Sequence, residues 1–298
     1  MSEFKNVVVI GASGSLGPHV LEALLESSSF NVTALSRQGS NSTYPSGVKV
    51  VHADYSSQDS LTAAFKGQDA VLSFVGVQGF KDQQRLIDAA IAAGVKRFIP
   101  SEYGGNTRDE RVLSQITIAA LKVNAVKYLQ SKEDQISWTA IITGIFFDWG
   151  IRVGFFGFDI ASNTVSLIDD GKPTWSTTNL AQIARAVVKV LEKPDLAKNQ
   201  YVYISDFQTS QRAILDAAEK ITGQKWTVKN EETGKELRER GGAILETGDL
   251  SGAWDMIRGC SFGAGDLGNF EAEGLWNDKL GLPKENFEET IKTVLTGQ

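Results

Sequence analysis

The chain of 298 residues carries 30 Lys plus Arg against 36 Asp plus Glu, and the resulting charge of -6 repels polyanions, which argues against nucleic acid as a partner. A lone Cys260 excludes an internal disulfide, two histidines (His19 and His52) supply no His-rich metal set, and no apolar run approaches the roughly 18 residues of a membrane span. The expectation is a cytoplasmic protein with no metal and no membrane partner.

In the first half, short β-rich apolar runs alternate with stretches of helical period, the pattern of parallel strands joined by crossover helices. Strands are predicted at Asn6 to Ile10, Asn31 to Leu35, Val48 to Val51, Ala70 to Phe74, Arg97 to Pro100 and Trp138 to Thr143. Helices are predicted at His19 to Ser27, Ser60 to Phe65, Asp82 to Ala93 and Arg111 to Ser131. Further on, Asp169-Asp170-Gly171 between Val165 to Ile168 and Pro173 to Ser176 predicts a small hairpin, since Asp-Gly supports positive φ. Asn179 with Gln182 predicts a capping box opening a helix to Leu191, and Tyr201 to Ile204 predicts a strand. The charges from Lys229 to Arg240 read as a solvated helix face, and the glycines from Gly241 to Gly274 as loops around short helices, a mobile cover over a pocket. The fold class is therefore α/β: a Rossmann-type doubly wound parallel sheet with a smaller interwoven C-terminal substrate lobe. Residues 1–150, with 177–205 returning to them, are expected to form the dinucleotide-binding domain, and 151–176 with 206–298 the lobe.

The run VVVIGASGSLG sets Gly11, Gly14 and Gly17 directly after a strand and before a helix that opens on Pro18. The first two glycines let the backbone turn against a pyrophosphate, the third lets helix and strand pack closely, and free amides at the helix start face the anion. Ser13, Ser15 and Leu16 lie between them on the same loop. At the end of the second strand, where a carboxylate would select a ribose 2′-hydroxyl, stands Arg37, whose guanidinium suits a 2′-phosphate. NADP(H) is the cofactor this predicts. Asp54 is expected on the adenine side, and Ser73, Val75 and Gly76 along the cofactor at the fourth strand's end.

Two lysine arrangements compete for the proton. Tyr128 and Lys132 spell the YxxxK pair of ordinary short-chain dehydrogenases. A crossover helix, however, ends at the sheet edge away from the cofactor, and Lys132 lies close to its end. Lys122, about 15 Å nearer the opposite edge at 1.5 Å per residue, is better placed.

With RFIPSEYG (Arg97 to Gly104), Lys122, WTAIITGIFFDWG (Trp138 to Gly150) and DDGKPTWSTTNLAQIARAV, the chain resembles the isoflavone reductase and phenylcoumaran benzylic ether reductase family, which belongs to the NmrA-like atypical short-chain dehydrogenases. Fungal aromatic alcohol reductase-like members are the nearest in pattern. The resemblance covers residues 4 to 205 and thins beyond Phe207; the family's PSEFG is PSEYG here through Tyr103. It implies NADPH as hydride donor, a small aromatic substrate, Lys122 as general acid or base, and Phe146 near the nicotinamide. Substrate contacts are expected from Ser101, Glu102, Tyr103, Phe147 and Trp149, while Phe155, Phe156 and Phe158 fit a pocket wall, a core or a homodimer seam equally. Two other readings use the same fold: an NADP-sensing regulator without catalysis, and a lyase or isomerase with a structural nucleotide.

Overall fold

Val7, Val8, Val9 and Ile10 lose all solvent exposure in strand β1 (Asn6–Ile10), because a central parallel strand is covered on both faces and tolerates an unbroken apolar run. In the computed structural model, which describes residues 4–297, β1 is followed by α1 (Gly17–Glu26), β2 (Asn31–Arg37), β3 (Lys49–Ala53), α2 (Gln58–Phe65), β4 (Ala70–Ser73), α3 (Gln83–Ala92) and β5 (Arg97–Ile99). Next come α4 (Glu110–Leu113), α5 (Ala119–Gln130), β6 (Ser137–Ile142), β7 (Ile145–Phe146), α6 (Phe147–Arg152), β8 (Phe158–Asp159), β9 (Thr164–Ile168) and β10 (Trp175–Thr178). The chain finishes with α7 (Leu180–Glu192), β11 (Gln200–Tyr203), β12 (Phe207–Thr209), α8 (Gln211–Thr222), β13 (Thr227–Glu232), α9 (Gly234–Glu246), α10 (Gly252–Ser261), α11 (Asn277–Leu280) and α12 (Phe287–Thr296).

These elements fall into two units. The first comprises Met1–Tyr103, Leu121–Ile141 and Ala181–Val202, and holds a sheet of order β11-β6-β5-β4-β1-β2-β3. β1 pairs parallel with β2 and β4, and β2–β3, β4–β5 and β5–β6 continue in the same sense. Strand order reverses between β1 and β4, with Ile10 aligned to Ser73, so the crevice that doubly wound sheets offer a ligand opens there. One face of the sheet buries Val8, Ile10, Phe98 and Trp138 with Phe65, Leu86, Val126 and Leu129 from α2, α3 and α5. Arg97, also buried, is held by Ser137 Oγ at 2.7 Å, Thr139 Oγ1 at 2.9 Å and the Pro194 carbonyl at 2.9 Å, which satisfies a cation that burial would otherwise penalise.

The second unit comprises Gly104–Ala120, Ile142–Leu180 and Tyr203–Gln298, with the three-stranded sheets β12-β10-β7 and β13-β9-β8. Its core is aromatic: Phe147, Phe156, Trp175 and Phe262 are packed together with Leu237 and Ile291.

Several local expectations are corrected. The segments around Asp169-Asp170-Gly171 do not pair with each other, since β9 joins β8 and β13 while β10 joins β7 and β12. Asp169, Asp170 and Gly171 all have positive φ, at 46°, 59° and 70°, and that run passes the chain from one sheet to the other. Arg111 to Ser131 is not one helix. Val112, Ile116 and Ala119 serve a cluster with Cys260 and Leu267, whereas Ala125, Val126 and Leu129 serve the large sheet, and Ser114 Oγ bonds back to the Arg111 carbonyl at the break. Asn179 forms no capping box, because its Oδ1 accepts no hydrogen bond among the described residues; Asp148 Oδ1 receives the Leu180 amide instead, at 3.1 Å. The charged stretch begins as strand β13, and the capping box lies at Thr233 with Glu236. Finally, the glycine-rich stretch is no loose cover but the partner helix of a tight pair. A Cβ on Gly241 would stand 2.5 Å from the Gly252 carbonyl oxygen, and one on Gly259 2.5 Å from that of Gly234.

Candidate active site

The glycine loop between β1 and α1 is built as an anion cradle. Gly11 has φ of +76°, and a Cβ there would run into the Phe74 carbonyl. Gly17 presses on Ala12, whose backbone lies 2.5 Å from where a Cβ would stand. Gly14 differs, because its amide closes the turn on the Gly11 carbonyl at 3.0 Å while a Cβ there would meet only the Gly11 oxygen, at 3.3 Å. Ser13, Gly14 and Ser15 are exposed, and the amides of Ser13, Ser15 and Leu16 donate to no group among the described residues. Unengaged amides at the start of a ten-residue helix are what a diphosphate requires, so these residues fit one.

Arg37 closes β2 with an exposed side chain, aligned with Ala53 on β3. Asp54 follows, and its Oδ1 accepts both the amide and the hydroxyl of Ser56, at 2.9 and 2.7 Å. Those bonds hold the carboxyl below its usual range. Ser73 ends β4 fully buried, its Oγ without a hydrogen-bond partner among the described residues, while Gly76 just beyond is exposed.

At the end of β5 the structure ties three segments together. Ser101 Oγ donates to the Val75 carbonyl at 2.7 Å, and the Ser101 amide donates to Gln83 Oε1 at 2.7 Å. Gln83, which sequence reading passed over, is wholly buried at the start of α3. Tyr103 lies with its ring 4.8 Å from that of Phe74, its hydroxyl buried and without a hydrogen-bond partner among the described residues; burial pushes the phenol well above its usual value, so it stays protonated. Glu102 is buried, and its carbonyl oxygen accepts from Lys122 Nζ at 2.9 Å. The same amine stands 5.0 Å from the centroid of the Phe80 ring. Lys122 is half-buried, and burial pulls its amine below the usual lysine value against an opposing pull from Glu102.

The rival pair sits elsewhere. Tyr128 donates to Asp88 Oδ1 on α3 at 2.5 Å, which raises its phenol, and Lys132 lies 5.5 Å over the Tyr128 ring, past the end of α5. In the second unit, Phe146 and Trp149 are half-buried with rings 6.1 Å apart. Phe147, expected at the substrate, is fully buried in the core of the second unit against Phe156, Phe207 and Phe287. Phe155, Phe156 and Phe158 are buried in the same core.

The model of the NmrA-like family matches residues 3–239. The chain belongs to the NmrA-like family. Oxidoreductase aprR of Aspergillus flavus is 36% identical over 98% of this chain and 99% of its own. Isoflavone reductase homolog A622 of Nicotiana tabacum is 32% identical over 50% of this chain and 51% of its own. A solved structure of AtPrR2 with NADP+ and (+)pinoresinol superposes with a TM-score of 0.75 at 20% identity, covering 99% of this chain and 100% of that one. The two chains thus share a fold. No helix among the described residues is long and apolar enough to cross a membrane.

Proposed function

We propose that this NmrA-like protein is an NADPH-dependent reductase of a small aromatic or conjugated substrate, with Lys122 as its general acid. The observation that carries the reading is the Lys122 amine itself, half-buried and fixed on the Glu102 carbonyl beside the carboxyl ends of β4 and β5. Support comes from the open glycine cradle, from relatives named as oxidoreductases and from the NADP+ in AtPrR2.

In this reading the amides of Ser13, Ser15 and Leu16 hold the diphosphate, Arg37 the 2′-phosphate and Asp54 the adenine side. Val75 and Gly76 line the path toward the nicotinamide, and Ser101 keeps Val75 in place. When bound, the dinucleotide supplies a hydride from its nicotinamide. Lys122 donates a proton to the substrate oxygen as negative charge develops there, so the substrate gains one hydride and one proton and leaves reduced by two electrons. Tyr103, protonated, offers a hydrogen bond to a polar group of the substrate.

The test is Lys122→Met assayed for NADPH oxidation with a panel of aromatic carbonyl and conjugated compounds. The expected result is a loss of turnover of roughly 10²- to 10⁴-fold with NADPH still bound. Unchanged turnover removes Lys122 from the mechanism. Wild-type protein that binds NADPH but oxidises none of it across the panel would instead mark a nucleotide sensor.

A further inference from the structure

We infer that Phe80 is a positioning residue for Lys122: its ring face and the Glu102 carbonyl oxygen together fix where the amine stands, leaving its remaining N–H for the substrate oxygen. The inference rests on the role proposed for Lys122. A lysine ammonium has three N–H donors and no acceptor, on a flexible four-carbon stem that many rotamers can carry. One donor goes to Glu102 at 2.9 Å, and a second attraction comes from the Phe80 ring with Nζ 5.0 Å from its centroid, well inside cation–π range. The two together restrain the amine and still leave a donor.

The ring is itself held firmly. Phe80 lies in a 3-10 turn, Val77–Asp82, that begins directly after Gly76. The Gly79 amide closes on the Gly76 carbonyl at 2.8 Å, and the Gln83 amide donates to the Phe80 carbonyl. The Gln83 side chain then accepts the Ser101 amide, and Ser101 holds Val75, so the turn is tied at both ends to the ends of β4 and β5. Phe80 is itself buried. The charged group facing the amine is Glu102; of those on the ring's own turn, Lys81 is exposed and Asp82 pairs with Arg85 at 3.4 Å.

The experiment uses the full chain with Phe80→Leu, which keeps apolar bulk but removes the π face, and Phe80→Trp, which restores one. Two readouts are taken: the pH profile of kcat/KM for NADPH-dependent reduction, and the titration of the Lys122 amine by competitive acylation read by mass spectrometry. For Phe80→Leu the expected result is a kcat lower by roughly 3- to 10-fold, with the basic limb and the amine's titration both moved to lower pH by about half a unit to one unit. Phe80→Trp returns both toward wild type. If the leucine variant does not fold, Phe80→Met makes the same test. An amine that titrates in the leucine or methionine variant as it does in the wild type overturns the inference, whatever Lys122→Met does to turnover. Lost turnover in Lys122→Met with an unmoved titration leaves the proposed reductase standing and removes only Phe80 from it.

Discussion

Lys122 Nζ reaches the Glu102 carbonyl oxygen at 2.9 Å, so α5 delivers its amine to the backbone just past β5. The bond fixes the amine at the sheet edge where the glycine loop also lies, and it leaves Tyr128 and Lys132 to helix packing.

From this follows a pH dependence. Burial is the larger influence on Lys122 and lowers its pKa from the ordinary 10.5, with Glu102 opposing. In the proposed reading Lys122 is the general acid and works only while protonated, so kcat/KM is expected to fall as pH rises through that lowered value, with the limb below 10.5. In Lys122→Met the limb is expected to be absent from whatever turnover remains. Stability has the opposite sign: between the lowered folded value and the ordinary unfolded one, only the unfolded chain keeps the proton, so raising pH through that window stabilises the fold. Urea midpoints of wild type and Lys122→Met across the window measure it.

Gly14 and Gly17 separate binding from folding. At Gly14 a Cβ meets only the Gly11 oxygen at 3.3 Å, whereas at Gly17 it lands 2.5 Å from the Ala12 backbone. Gly14→Ala is expected to fold with little change in Tm and to bind NADPH about 10-fold more weakly, because the added methyl occupies the diphosphate's approach. Gly17→Val is expected to lose on the order of 3 kcal/mol of stability or fail to fold. Equal thermal melts for the two variants would contradict the assignment of roles.

In the proposed reading Arg37, exposed at the end of β2, tells the two dinucleotides apart. Charge-assisted pairing with a 2′-phosphate is worth about 1.5–3 kcal/mol, so Arg37→Ser is expected to raise the Kd for NADPH roughly 10- to 100-fold and leave that for NADH within about twofold. Parallel titration calorimetry with both nucleotides checks this, and equal losses for both would show that Arg37 is not read by the phosphate.

Gly259 packs against Gly234 so tightly that α9 and α10 meet backbone to backbone. Gly259→Val forces them apart and is expected to cost about 1–3 kcal/mol, read as a lower urea midpoint. An unchanged midpoint would mean the seam yields freely.

The order of strands and helices through β5 was legible in the sequence because short apolar strand runs alternate with stretches of helical period, and local period reports the buried face directly. So was the glycine cradle, since Gly11 and Gly17 are required by backbone approaches within one strand-turn-helix unit. Where a stretch serves two cores, as from Arg111 to Ser131, its period is continuous but its helix is not, and nothing local marks the break. The α9–α10 pairing did leave a trace: Gly234 and Gly241, and again Gly252 and Gly259, stand two helical turns apart, the spacing of a seam rather than of a loop.

By itself, then, the sequence determined the parallel sheet and the tight glycine turn between its first strand and helix, and it set Lys122 ten residues ahead of Lys132 along one segment, all matters of spacing along one element. Only the tertiary structure decided that Phe147 is core, that Gln83 braces Ser101, and that Lys122 rests between a carbonyl and an aromatic face. These depend on side chains distant in sequence meeting at one point, and the distance between two such side chains is set by how elements pack, which no local pattern encodes.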